Sequence, residues 1–200
     1  NYIKGYSLYR LGRYREAISP LRTVCGAMDG LTQNASYHLA ECYLNTGDLQ
    51  SATSAFSMAS TDGFDEEIAE NALLNYGRLK FELDGDVFNE SINVLKRYLD
   101  KYPTSEHCPE VQTLLIAAYY NSKDYGSAYA AIKAFPNPDK ELRMALQQVA
   151  VFRAVDAVKE GNYDLAQSLL EEAELIGISP KYKALAIYWQ GEIAMLKGEY

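Results

Sequence analysis

The chain is 200 residues long, 48% hydrophobic and 23% charged, with a formal net charge of −8 and a pI near 4.8. An acidic balance of this size argues against a nucleic-acid partner, because few cations stand ready to displace counterions from a phosphate backbone. No run of about 18 apolar residues occurs, so no segment is expected to cross a bilayer as a helix; the length suits one or two domains, or one elongated repeat array.

The chain opens at Asn1 already inside a helical pattern, with no charged-then-apolar leader, and it closes at Gly198-Glu199-Tyr200 as a turn begins. A piece of a longer protein is the expectation. Tyr14, Ala17, Leu21 and Val24 fall at offsets 0, 3, 7 and 10, one face of a helix. Next, Leu39, Ala40 and Tyr43 line a helix that Thr46-Gly47-Asp48 should stop, with Gly47 suited to positive φ and Asp48 able to cap the next helix. Leu49, Ala52, Phe56 and Ala59 then repeat the offsets 0, 3, 7 and 10. So do Phe88, Ser91, Leu95 and Tyr98; Tyr125, Ala128, Ile132 and Phe135; and Tyr163, Ala166, Leu170 and Ala173.

Turn positions at Gly12, Gly47, Gly85, Lys123, Gly161 and Gly198 are spaced by 35, 38, 38, 38 and 37 residues. A fixed period in this range predicts stacked helical units, each leaving an apolar face that only a neighbour can cover. Two prolines in Phe135-Pro136-Asn137-Pro138-Asp139 cannot continue a helix. They mark a bend or a sub-domain boundary, and the unbroken period favours the bend. Asp139 should cap a long helix running through Glu160.

Little in the chain points to catalysis. Cys25, Cys42 and Cys108 are an odd number with no C-x-x-C pair, and read as small buried side chains; a Cys25–Cys42 bridge is sterically open. His38 reads as a surface or groove histidine and His107 as a solvated loop residue, neither in a ligand spacing. Asp84-Gly85-Asp86 with Asn89 and Glu90 lacks the glycine and glutamate that a calcium loop needs, so a turn and cap is the reading. No phosphate-cradling, dinucleotide or nucleophile-elbow motif occurs. The expectation is a non-enzyme with no cofactor and no metal.

The set Leu39, Ala40, Tyr43, Gly47, Ala52, Phe56 and Ala59 resembles the tetratricopeptide repeat, a helix-turn-helix unit of about 34 residues. Gly5, Gly12, Tyr14, Ala17 and Leu21 match it again, and Pro103 in R-Y-L-D-K-Y-P supplies its closing proline. The chain departs from the pattern in never filling the first-helix tryptophan position with Trp, its one tryptophan being Trp189 in the last helix, and in Lys123 at a turn, extra residues around 83–88 and long periods. The resemblance implies an all-α fold, a right-handed αα-superhelix of five helix pairs plus a final helix. One array would cover 1–200, with repeats near 1–31, 32–66, 67–105, 106–138, 139–179 and a partial one at 180–200. The Y-L-D-K-Y-P-T-S junction is similar to that of bacterial cell-envelope repeat proteins, including outer-membrane assembly lipoproteins and periplasmic cell-division factors, and points to the periplasm or envelope.

In that family the first helices line a groove that binds protein or peptide. By register, the groove positions here are Tyr2, Tyr6, Tyr9 and Arg10; Asn34, Tyr37, Glu41 and Asn45; and Asn71, Leu74, Arg78 and Glu82. They continue with Glu110, Thr113, Tyr120 and Asn121, then Gln148, Val151, Lys159, Tyr188 and Glu192. Tyr6, Tyr9, Arg10, Tyr37, Glu41, Asn45, Asn71, Arg78, Tyr120 and Asn121 are the candidate partner contacts, while Tyr14, Tyr43, Tyr119, Tyr125 and Tyr163 are expected to pack between helices. The Lys/Asn/Arg clamp that grips acidic chaperone tails is missing, its positions being held by Tyr2, Tyr6, His38, Asn71 and Asn75. The expected function is a scaffold holding an extended or helical segment of a partner; the alternative is a regulatory or structural repeat domain of a larger enzyme or sensor.

Overall fold

The computed structural model describes residues 1–25, 29–61, 63–83, 90–135 and 137–198. The expectations placed on Asp84, Gly85, Asp86, Phe88, Asn89, Pro136, Glu199 and Tyr200 lie outside these residues. Of the described residues 82% are helical, in eleven helices, and none is in a strand. The fold is all-α, built from helical hairpins.

Contacts divide the chain into two compact units, Asn1–Ala118 and Tyr119–Tyr200. The division falls inside a helix rather than at the prolines of 135–139. In the first unit, α1 (Tyr2–Arg10), α2 (Tyr14–Arg22), α3 (Gly30–Thr46), α4 (Leu49–Thr61), α5 (Glu66–Leu83) and α6 (Glu90–Lys101) each pack on the next in sequence. In addition, α1 touches α3 and α3 touches α5, so α2 and α4 are each held between successive first helices. The helix α7 (Cys108–Asn121) begins in this unit. In the second unit α8 (Tyr125–Lys133), α9 (Lys140–Lys159), α10 (Tyr163–Ile176) and α11 (Pro180–Lys197) follow the same rule, with α9 touching both α10 and α11.

The period-seven pattern marks the packing directly. At its second position Ala17, Ala52, Ala128 and Ala166 are 0% exposed, and at its third Leu21, Phe56, Ile132 and Leu170 are 1% exposed or less. Small side chains let paired helices approach, and the large ones fill the space between neighbouring pairs. Ala52→Leu therefore overpacks the α3–α4–α5 contact and should cost roughly 1–3 kcal/mol. A denaturation midpoint equal to the parent's would contradict this placement. Gly5 makes the closest approach, since a Cβ there would stand 2.7 Å from Leu21 Cγ.

The hairpin turns share one geometry. Gly47 has φ +81°, its N–H donates to the Leu44 carbonyl at 3.1 Å, and the Asp48 N–H donates to the Tyr43 carbonyl at 3.0 Å. These two bonds satisfy carbonyls that the helix end leaves without partners. The same pair recurs at Gly12, Lys123 and Gly161. The residue after the turn then caps the next helix: Asp48, Asp124 and Asn162 accept from the N–H of Ser51, Ser127 and Leu165. Lys123 takes φ +62° with a full side chain, which costs about 1 kcal/mol relative to glycine. Lys123→Gly relieves that strain at some cost in unfolded-state entropy. The thermal midpoint should rise; a fall would show that the lysine itself stabilises the turn.

Two glutamines lie wholly inside. Gln33 in α3 and Gln147 in α9 are 0% exposed, and each reaches a backbone residue 32 positions ahead, where the next first helix begins. Gln33 Nε2 donates to the carbonyls of Ala59 (3.2 Å) and Asp65 (3.0 Å), and its Oε1 accepts from the Asp65 N–H at 2.8 Å. Gln147 holds Ser179 in the same way, through its carbonyl at 3.2 Å and its N–H at 2.7 Å. All three cysteines are free, so the bridge left open by the sequence does not form.

Candidate functional site

Aromatic rings at the surface gather on α1 and α3. On α1, Tyr2, Tyr6 and Tyr9 stand at offsets 0, 4 and 7 and share one face. Their rings follow one another, with centroids 5.9 Å apart from Tyr2 to Tyr6 and 6.1 Å from Tyr6 to Tyr9. From α3, His38 enters this row at 5.0 Å from Tyr6 and 4.7 Å from Tyr9. Tyr37 meets His38 edge-on at 5.7 Å and Phe56 edge-on at 5.6 Å, so one side of its ring belongs to the core. The result is an aromatic surface of five rings across two helices.

Polar groups frame it. Glu41 pairs with His38 Nδ1 at 3.0 Å, one turn along α3. Arg10 donates to the Tyr6 hydroxyl at 3.0 Å and holds its guanidinium carbon 5.8 Å from that ring. Asn45 donates to the Glu41 carbonyl at 2.8 Å. Burial, and after it the hydrogen bond to Glu41, pushes the Tyr9 phenol well above its usual range. Burial likewise raises Tyr2 and Tyr37. These phenols therefore stay neutral at ordinary pH and act as hydrogen-bonding tips on rigid apolar rings. Tyr2, Tyr9 and Tyr37 also pack against the buried core of the first unit.

Elsewhere the sequence-derived positions separate. Asn71 and Asn75 on α5 donate to the carbonyls of Glu67 and Asn71, both at 2.9 Å. Arg78 makes a two-point ion pair with Glu110 of α7, at 2.6 Å through each nitrogen. Its charge is thus already matched within the chain, and the arginine pulls Glu110 below the usual carboxylate range. Leu74 and Val151 are buried at 3% and 0% exposure and cannot meet a ligand, which corrects their assignment to the groove. Both helices are covered on more than one side, so a single apolar stripe does not mark their free face.

In the second unit, Tyr120 accepts from Gln148 Nε2, and its ring lies 5.8 Å from Tyr125 and 6.2 Å from Phe152. Phe152 continues to Tyr125 at 5.1 Å and Tyr182 at 6.0 Å. Asn121 is exposed beside this second cluster. Phe152 sits at its centre and was missed from sequence, because no tyrosine marks that position in the other first helices. Tyr14, Tyr43 and Tyr163 pack against core clusters as expected. His107 is half-buried rather than solvated, its N–H donating to Ser105 Oγ at 3.1 Å.

Among the described residues, no three His, Cys, Asp or Glu side chains gather to hold a metal ion, and no helix is long and apolar enough to cross a membrane. Helical hairpins joined by one recurrent turn, with second helices held between first helices, define a helical-repeat protein. Residues 2–64 match the tetratricopeptide repeat and residues 67–140 match a family described as outer membrane lipoprotein, YfiO. Residues 2–64 thus carry the tetratricopeptide-repeat pattern, and the all-α hairpin architecture recurs in both units.

Among solved structures, the chain is similar to MamA of AMB-1, at 19% identity over 85% of this chain and 86% of that one, with a TM-score of 0.49. MamA of MSR-1 aligns at 18% identity over 87% and 92% of the two chains, with a TM-score of 0.46. A Podospora anserina protein described as a kinesin light chain with nearly identical TPR-like repeats aligns at 15% identity over 88% and 92%, with a TM-score of 0.47. No curated protein matches the sequence.

Proposed function

We propose that this protein is a non-catalytic scaffold that holds an extended or helical segment of another protein against the aromatic face of α1 and α3. The observation that carries this reading is the row of Tyr2, Tyr6, Tyr9, His38 and Tyr37 at the surface, rimmed by Arg10, Glu41 and Asn45. Rings already fixed by their neighbours lose little freedom on contact, and their polar tips supply hydrogen bonds without a buried charge. Asn71 and Arg78 are the secondary contacts of the same unit, and Tyr120 and Asn121 are a separate candidate contact of the second unit. The match of residues 67–140 to an outer membrane lipoprotein family supports a place in the bacterial cell envelope.

Tyr6 and Arg10 are the informative pair to remove, because Tyr6 is held by Tyr2, Tyr9, His38 and Arg10 at the surface. A partner is captured with the tagged parent chain, identified, and titrated against both proteins. Tyr6→Ala with Arg10→Ala should weaken binding about tenfold to a hundredfold, the usual cost of losing a central aromatic and its arginine. Its helical signal and denaturation midpoint should stay close to the parent's. Equal affinity of the parent and the double variant would remove the α1–α3 face from the reading.

A further inference from the structure

We propose that the partner segment is acidic where it leaves the aromatic row, and that a cleft between the head of α2 and the tail of α3 takes its side-chain carboxylates. This rests on the α1–α3 face being the partner's seat, and it names the chemistry which that seat selects. Charge is the first observation. Residues 1–25 carry Lys4, Arg10, Arg13, Arg15 and Arg22 against the single carboxylate Glu16, in a chain with 19 Lys and Arg against 27 Asp and Glu. All five cations are exposed, and among the described residues only Arg13 has a carboxylate partner, Glu16. Arg10 rests on the hydroxyl and ring of Tyr6. By contrast, Arg78, Lys133 and Arg153 are matched by Glu110, Glu172 and Glu160.

Second, two of these arginines line a cleft. A space of about 370 Å³ opens between Arg13, Tyr14 and Arg15 on one side and Asn45 and Thr46 on the other. It continues the aromatic row, because Asn45 borders both and the Tyr14 ring lies 6.0 Å from that of Tyr9. Aligned on Gly12 and Gly47, Arg13 and Arg15 correspond to Asp48 and Gln50 of the second hairpin. Those two residues are exposed as well, although α2 packs on that hairpin from one side and α5 from the other. The positions therefore stay open inside a stack of hairpins.

Third, Arg13 stands where the fold favours another residue. After the turn, Asp48, Asp124 and Asn162 each cap the helix that follows, whereas no side chain caps α2 at Arg13. A local rule is thus broken at the place where the chain gathers positive charge, as happens at sites that serve binding rather than stability. Arg13 grips Glu16 through Nε and Nη2, the two-point geometry that guanidinium groups offer to carboxylates. Carboxylates of the partner pair with Arg10 and Arg15 and share Arg13 with Glu16. The cleft lies at the hairpin turn, apart from Asn71 and Asn75 of the missing chaperone clamp, and it reads side chains rather than a chain terminus. A recessed site beside fixed rings admits peptide side chains, and a flat lipid surface does not enter it.

Random peptides displayed on phage and selected on the whole chain provide the test. The selected pool should be enriched in Asp and Glu over the starting pool, and its best member, synthesised and titrated, should bind more weakly as salt rises. Arg13→Ala with Arg15→Ala should raise the dissociation constant of that peptide about tenfold. Arg13→Asp should also weaken binding while raising the thermal midpoint, because an aspartate there restores the missing cap; a lower midpoint would show that the fold itself needs Arg13 and would overturn the third observation. Tyr6→Ala separates this inference from the reading beneath it. Acidic peptides that need Arg13 and Arg15 but not Tyr6 would keep the cleft and remove the aromatic row, whereas selected peptides that need Tyr6 but lack an acidic bias would do the reverse. The proposal also fails if no peptide is selected, if parent and Arg13→Ala/Arg15→Ala bind equally, or if the chain takes up phosphatidylglycerol vesicles in place of acidic peptides.

Discussion

Replacing Gln33 with leucine should lower the unfolding free energy by about 3 kcal/mol, more than any surface change in this protein. Leucine matches the amide in size, so the loss is one of hydrogen bonds rather than volume. Three hydrogen bonds of about 1 kcal/mol each are lost: the Asp65 N–H is left without its acceptor and the Ala59 and Asp65 carbonyls lose the amide donor, although the Asp65 carbonyl keeps the Ala69 N–H at 2.9 Å. Asp65 also caps α5, accepting from the N–H of Glu67 and Ile68 at 3.1 and 3.2 Å. The amide of Gln33 thereby ties α3 to the start of the next first helix. Gln147→Leu should behave alike in the second unit, with about 2 kcal/mol lost, since its amide serves the two backbone groups of Ser179. Denaturant unfolding reads both values. A loss below about 1 kcal/mol for Gln33→Leu would show that water or a neighbour replaces the amide.

Phe56→Ala should cost about 4 kcal/mol, the range for truncating a fully enclosed aromatic side chain. Phe56 is 1% exposed and stands between α3 and α5, a place where no small shift can close the space it leaves. Its consequence reaches the surface. Tyr37 leans edge-on against Phe56 at 5.6 Å and itself braces His38 at 5.7 Å, so the truncation removes a wall behind the aromatic row. Partner affinity should fall although Phe56 touches no ligand. Unfolding measurements give the stability loss, and titration of the folded variant gives the second effect. Unchanged affinity would mean that Tyr37 holds its place without this support.

The hairpins were legible in the sequence because their determinants are local. Ala17, Ala52, Ala128 and Ala166 are small where helices must touch, and Gly12, Gly47 and Gly161 stand where the backbone needs positive φ. Asp139 accepts from the Leu142 N–H at 2.8 Å at the head of α9, as its position ahead of that helix predicts. Gln33 and Gln147 escaped notice because a polar residue reads as surface in any periodic analysis. The available signal was their register, each lying 14 residues ahead of a turn glycine. Leu74 and Val151 were misplaced for the opposite reason: in a first helix covered by neighbours on several sides, apolar residues no longer mark one face. The division between Ala118 and Tyr119 left no trace in composition, since it runs through the continuous helix α7. At the candidate surface, tyrosine spacing on α1 was readable, whereas the insertion of His38 between Tyr6 and Tyr9 depends on how α1 and α3 lie together.

The partner should meet the first helices of the hairpins and not the second. A photo-crosslinking residue placed at Tyr6 of α1, at Ser19 of α2 or at Ser54 of α4 tests this directly in the whole chain. Tyr6 should give a strong partner adduct, and Ser19 and Ser54, which lie exposed on the second helices, should give little. Adducts from Ser19 or Ser54 equal to or stronger than that from Tyr6 would contradict it.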